Sequence, residues 1–391
     1  MKKERNYAID FVRFFFALVF VLGHMAILLS RIPGREGMNL VFGLDTICIF
    51  TCSAGYFMMG HFDKEMKRRK VEGDQTPPTK IALDYLASRI RTLGVWFTVG
   101  NLMGFIGICL LNKTPLSKWF DAFLNHLGEF FGLMLTGFNY GSNIHGAYGT
   151  ASSEYILING PLWFVSGLFI CSYFLYYLLA KDEKKTLGVI VPLTALVFYG
   201  SAYMNGVQPF WRKFFQIGFI QIDYGMIDMF CNLGIGCIMY RAVEALQGKE
   251  FSKGFTILLS CIQLFLVIFV PFRTLVPLNI PINPFSFNWG PAYLLSLINT
   301  FLLVLNRDHV THFLNKKFLG APGKLAMYIY CLHYGVIMLL YTIVPDLLFN
   351  HLPLFILTVY VITVLLSILA DKVSKPIDKW LLSKPWFKKT T

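Results

Sequence analysis

The residues of this 391-residue chain that could do chemistry are ionisable side chains set inside apolar runs. A charge at membrane depth is costly, so each marks a candidate site. Arg13 and His24 share one run, DFVRFFFALVFVLGH. On a helix their spacing is three turns plus about 20°, which puts both on one face about 16 Å apart along the axis. The imidazole could take a proton from a hydroxyl, and the guanidinium could hold an anion. Plainer readings stand beside these. Arg13 could snorkel to the interface and pair with Asp10, and His24 could be only an interhelical hydrogen-bond partner. Asp45, in GLDTICIF, opens the next apolar run. A carboxylate there could fix the tautomer of His24 and raise its basicity, or it could cap its own helix or face water. Arg89 and Arg91, in YLASRIRTLGVWF, could clamp phosphates in bidentate fashion or simply anchor a helix end. His333, in MYIYCLHYGV, could line a cavity or serve packing.

The elements that must position these residues follow from composition. Hydrophobic residues make up 55% of the chain and charged residues 15%, well below the roughly 25% charged of a soluble domain. Runs near the 20-residue length of a membrane-crossing helix occur at 8–29, 39–60, 93–112, 161–180, 186–204, 225–241, 255–272, 290–306, 325–344 and 353–370. The expected fold is therefore all-α, a polytopic transmembrane bundle of about ten spans. With the N-terminus inside, the segments assigned to the cytoplasm carry 27 Lys/Arg and the external ones 7. This bias places both termini in the cytoplasm and accounts for most of the net charge of +13. The basic start MKKER is followed by no A-x-A site, so the first run reads as a retained span. Residues 1–371 are expected to form one transmembrane domain, and 372–391 a short basic cytoplasmic tail. Two external segments, 113–160 and 205–224, carry aromatic stretches that read as interfacial, with a re-entrant pair as the alternative for the first.

Several function classes are excluded by pattern. There is no basic stripe with exposed aromatics and no zinc-finger or helix-turn-helix pattern, so no nucleic acid is expected. Phosphate-loop, dinucleotide-binding, HExxH and GxSxG motifs are absent. The eight Cys form no CxxC pair and read as buried small apolar residues, with no metal implied.

Taken in order, the blocks resemble the acyltransferase-3 family of bacterial integral-membrane acyltransferases, in its stand-alone ten-helix type. The opening pattern is Asp10, Arg13 and His24. CSAGYFMMG (52–60), RIRTLGVWF (89–97), GPLWFVSGLFICSYF (160–174), FCNLGIG (230–236) and GKLAMYIYCLH (323–333) follow. Ala54 and Thr92 depart from the usual pattern, Asp45 lies about a turn early, and a Ser-x-x-x-Glu continuation after Trp163 is missing. The resemblance implies a membrane O-acyltransferase, O-acetyl transfer foremost, in a bacterial cell membrane. Its donor would be cytoplasmic acyl-CoA, chiefly acetyl-CoA, and its acceptor a hydroxyl of a lipid-linked or surface glycan. His24 would be the base, Asp45 its orienter and Arg13 a contact to the donor; Arg89, Arg91, Trp163 and His333 would bind the donor. Membrane lipid is an expected partner, and glycan-synthesis proteins or a second copy of the chain are open ones. The competing readings are a glycan or small-molecule transporter or flippase, and a non-catalytic subunit of a glycan synthase.

Overall fold

The computed structural model describes residues 5–29, 45–132, 158–204, 214–217, 220–272 and 289–384, with the backbone alone at 26–29, 45–46, 214–217, 220–222, 269–272 and 289–292. Each apolar run, over its described residues, overlaps a helix. These are α1 (Tyr7–Leu29), α2 (Asp45–Glu72), α3 (Pro78–Leu111), α4 (Trp163–Lys181), α5 (Val191–Met204), α6 (Tyr224–Ala245), α7 (Lys253–Phe272), α8 (Trp289–Leu305), α9 (Ala326–Ile343) and α10 (Leu352–Leu382). Among the described residues, seven helical stretches are long and apolar enough to cross a membrane; α7 and α8 count as shorter apolar helices. The chain is thus a polytopic helical membrane protein. The fold is all-α as expected; among the described residues one short antiparallel hairpin, β1 (Phe214–Ile217) with β2 (Ile220–Asp223), pairs Phe214 with Asp223. Its QI and IQID segments alternate polar and apolar residues, the period of a strand.

Three helices run past their apolar cores. α2 continues through DKEMKRRKVE, whose residues favour helix and pair across turns: Arg68 bonds Glu65 at 2.7 Å, and Arg69 bonds Glu65 at 2.9 Å. It stops at Gly73, where φ is +67° and the Asp74 N–H returns 2.9 Å to the Arg69 carbonyl, a left-handed cap that suits glycine. Asp74 then accepts from the Thr76 N–H and hydroxyl at 2.9 and 2.6 Å, and Pro78 opens α3.

Contacts group the chain into two compact units interleaved in sequence. The first comprises Met1–Pro78, Leu178–Gln208 and Phe230–Ala326. In it, α2 and α6 cross at glycines: a Cβ on Gly55 would lie 2.0 Å from the Leu233 carbonyl oxygen, and one on Gly236 2.0 Å from that of Cys52. α8 packs along α2, and α7 meets α8 through a buried Gln263–Asn299 bond of 2.9 Å. The second unit comprises Thr79–Tyr177, Pro209–Met229 and Met327–Thr391. There α3 lies against α9, with Gly100 facing the Cys331 carbonyl. α10 joins α3 through Arg91–Asp378 at 2.6 Å and Trp96–Ser374 at 2.8 Å. α4 joins α3 through stacked Tyr85 and Tyr176 rings 4.2 Å apart.

Candidate active site

The first unit holds Arg13 and His24, and the start of α1 is pinned so that both are aimed. Asn6 caps the helix, its side-chain oxygen accepting from the Ala8 and Ile9 N–H groups at 3.1 and 3.3 Å. Its amide donates to the Leu303 carbonyl at 2.8 Å, and the Tyr7 N–H reaches Asn315 at 2.6 Å. Gly320 and Gly323 let the following turns close on Tyr7 and Asp10, where a Cβ would come within 2.6 and 2.5 Å.

From that anchor a continuous aromatic path runs along one face of α1. The Arg13 guanidinium carbon lies 5.6 Å from the centroid of the Phe50 ring on α2, a cation–π distance. Phe50 meets Phe20 at 5.6 Å, and Phe20 stacks on the His24 ring at 6.3 Å. Phe20 and Phe50 are buried, while Arg13 and His24 are half-buried. Two apolar rings thus stand between a cation and an imidazole, separating the two ends of the face. Asp10, named in the snorkelling reading as a partner of Arg13, bonds Arg5 at 2.7 Å. Asp45 is the first residue of α2, but its side chain lies outside the described residues.

Deeper in the same unit a polar chain crosses the apolar interior. The Cys48 and Cys52 sulfurs are 3.6 Å apart, and the Cys52 thiol points at Asn232 Oδ1 at 3.5 Å. Tyr293 donates to the same oxygen at 2.6 Å and lies 2.8 Å from the Tyr199 hydroxyl. A buried amide wants its polar atoms partnered, which explains why Asn232 is tolerated in FCNLGIG.

The second unit holds Arg89, Arg91, Trp163 and His333. Arg89 sits over the Tyr85 ring at 4.7 Å, while Arg91 faces the Asp378 carboxylate. Trp163 is 3% exposed and begins α4. His333 is fully buried, with Nδ1 placed to donate to the Ile329 and Tyr330 carbonyls at 3.0 and 2.9 Å. One pair went unassigned from sequence. His126 Nδ1 lies 2.8 Å from Glu129 Oε1, and the fully buried carboxylate also accepts from the Ile158 N–H at 2.9 Å. The signal was a His and a Glu three apart within an apolar stretch. Around them Leu116, Phe120, Leu124 and Phe131 are exposed, an arrangement suited to a membrane interface.

A search of curated proteins and of solved structures returned no match. The family model for the acyltransferase domain of the acyltransferase-3 family matches residues 6–372, nearly the whole length, running from the Asn6 cap of α1 into α10. With its helices, its Arg13–His24 face and that match, the chain belongs to the acyltransferase-3 family and is a membrane acyltransferase.

Proposed function

We propose that the enzyme is an O-acyltransferase of a bacterial cell membrane, carrying an acyl group, acetyl foremost, from cytoplasmic acyl-CoA to a hydroxyl of a lipid-linked or surface glycan. In this reading α1–α10 make ten crossings with both termini in the cytoplasm, and residues 1–371 act as one domain. The observation that supports it is the Arg13–Phe50–Phe20–His24 path. Arg13 and His24 are about 16 Å apart along α1, too far for one small group to touch both. An elongated donor entering from the inside and a hydroxyl arriving from the outside fit that spacing.

In the proposed step, His24 accepts the hydroxyl proton as the oxygen attacks the thioester carbon. An ester C–O bond forms, the C–S bond breaks, and the CoA thiolate leaves to be protonated in turn. Asp45, at the head of α2, would orient the imidazole. Arg13 would face the anionic donor at the inner end of the path. Arg89, Arg91, Trp163 and His333 are carried as further donor contacts; Arg91 is already opposite Asp378, so Arg89 is the stronger phosphate ligand of the two.

The test is transfer of label from radiolabelled acetyl-CoA to membrane glycan, comparing wild type with His24→Ala at equal expression. General-base catalysis contributes about 10²–10⁴-fold, so the variant should keep a trace of activity at most. Equal labelling in the two would remove His24 as the base. Glycan export without change of mass and without label in either would favour a transporter.

A further inference from the structure

The outward face of α10 changes character where the helix leaves its apolar core. Leu354, Leu357, Val361, Leu365 and Ile368 are 38–59% exposed, while Phe355, Val359, Thr363, Ser367 and Ala370 are buried. At 3.6 residues per turn the five exposed side chains fall within a band about 80° wide. Lys372, Lys375 and Lys379 follow in the same band, and all three are exposed. In a bilayer, the stripe that meets the acyl chains therefore runs straight into a row of ammonium groups.

These ammonium groups are not held by the protein. Among the described residues none of the three lysines makes an ion pair or a hydrogen bond. Asp378 is turned to Arg91 of α3 at 2.6 Å, and Asp371 lies outside the band. Beside the row Trp380 is 59% exposed, with Lys384 Nζ 4.6 Å from its ring centroid. An amphipathic indole at a helix end suits the headgroup level of a membrane.

We propose that the end of α10 is a docking stripe for anionic phospholipid, its acyl chains along Leu365 and Ile368 and its phosphate at Lys372, Lys375 and Lys379. The continuity of the two stripes favours a lipid over a soluble partner, since whatever covers the apolar part must also reach the lysines. From Lys372 to Lys379 the axis rises about 10 Å, against a headgroup layer of about 5–7 Å on each side of the bilayer. The flexible lysine stems close that difference by reaching back to the phosphates. A basic cluster directly after a membrane-crossing helix attracts anionic headgroups. The inner leaflet follows from the assignment of the C-terminus to the cytoplasm; the contact with anionic lipid does not depend on it.

The test counts lipid on the full-length protein, released from detergent micelles titrated with phosphatidylglycerol or phosphatidylcholine and weighed by native mass spectrometry. Wild type should retain phosphatidylglycerol in preference to phosphatidylcholine. The triple variant Lys372→Gln, Lys375→Gln, Lys379→Gln should bind phosphatidylglycerol about tenfold or more weakly, since each Lys near an anionic surface is worth about fivefold. The corresponding triple Lys→Arg variant should keep the preference, and Lys249→Gln, at an exposed site away from α10, should leave it unchanged. Lys and Gln have similar helix propensity and the three positions are exposed, so the Gln variant should melt with wild type in lipid-free detergent. Equal retention of the two lipids by wild type, or an undiminished preference in the Gln variant, overturns the proposal and leaves the lysines a solvated face. Displacement of phosphatidylglycerol by glycerol phosphate at matching concentration marks a site for free phosphate and overturns it too. A doubled mass without added lipid, lost in the Gln variant, makes the stripe a contact between two copies of the chain and equally overturns it.

Discussion

Gly55→Ala and Gly236→Ala test whether the crossing of α2 and α6 is as close as described. Each added Cβ would sit 2.0 Å from a carbonyl oxygen of the opposite helix, Leu233 for the first and Cys52 for the second. Helix backbone cannot rotate away as a side chain can. The two helices must part by about 1 Å or more to restore ordinary contact, and a gap of 0.5–1 Å already forfeits a quarter to a half of the dispersion attraction across it. Overpacking of this kind costs roughly 1–3 kcal/mol. Gly200, in the interior of α5 with nothing within 4 Å of its Cβ position, is the control; Gly200→Ala should gain up to about 1 kcal/mol of helix propensity. The assay is the fraction of purified protein left monodisperse after heating, read as an apparent midpoint because unfolding is expected to be irreversible. Both crossing variants should melt lower than wild type and Gly200→Ala no lower. Since one separation relieves both clashes, the double variant should fall well short of the sum of the singles. Wild-type midpoints for both crossing variants, or strict additivity, would refute the close crossing.

Two predictions concern charged side chains. Arg91→Gln and Asp378→Asn, combined in a double-mutant cycle on thermal stability, should show a coupling below about 1 kcal/mol, because Asp378 is 40% exposed and the pair is screened; a larger coupling would mean the pair is drier than described. At the end of α2, side-chain hydrogen bonds from Arg68 hold the Glu65 carboxyl below its usual range, and bonds from Thr76 do the same for Asp74. Depressed carboxylates stabilise the folded turn above their unfolded pKa of about 4, and that contribution is lost as pH falls through the lower folded values. A nitroxide at the exposed Val71 should show constant mobility from pH 7 to 5 and loosen below about pH 4; loosening near neutral pH would count against the carboxylates as the cause.

Much of this architecture was legible because apolar run length is a one-dimensional signal. All ten runs became helices, and the period of 3.6 placed Arg13 and His24 on one face without any tertiary information. Helix ends were read less well where helix-forming charged residues carry the coil beyond the apolar core, as from His61 to Glu72 in α2 and Asp371 to Leu382 in α10. Partners across helices were not legible. Nothing in the order of residues says that Phe50 sits between Arg13 and Phe20, that Asp10 reaches back to Arg5, or that Arg91 finds Asp378 far along the chain. Gly55 of CSAGYFMMG and Gly236 of FCNLGIG, two of the blocks that carry the resemblance, prove to be where two backbones touch, while Gly60 and Gly234 face the side chains of Tyr240 and Val191.

The pairing of α3 with α10 has a mechanical consequence. With 34 and 31 residues, the helices are about 51 and 46 Å long, against a hydrocarbon layer near 30 Å. The surplus lies on the side of the Arg91–Asp378 contact, where this bond and Trp96–Ser374 join one rod to the other. Rods bonded side by side in this way resist slipping past each other to adjust their lengths separately. A change in bilayer thickness must be met by leaning the pair as a unit or by deforming the surrounding lipid. The pair would therefore convert membrane thickness into helix tilt, and enzyme reconstituted in short-chain and long-chain lipids should differ in orientation before it differs in fold.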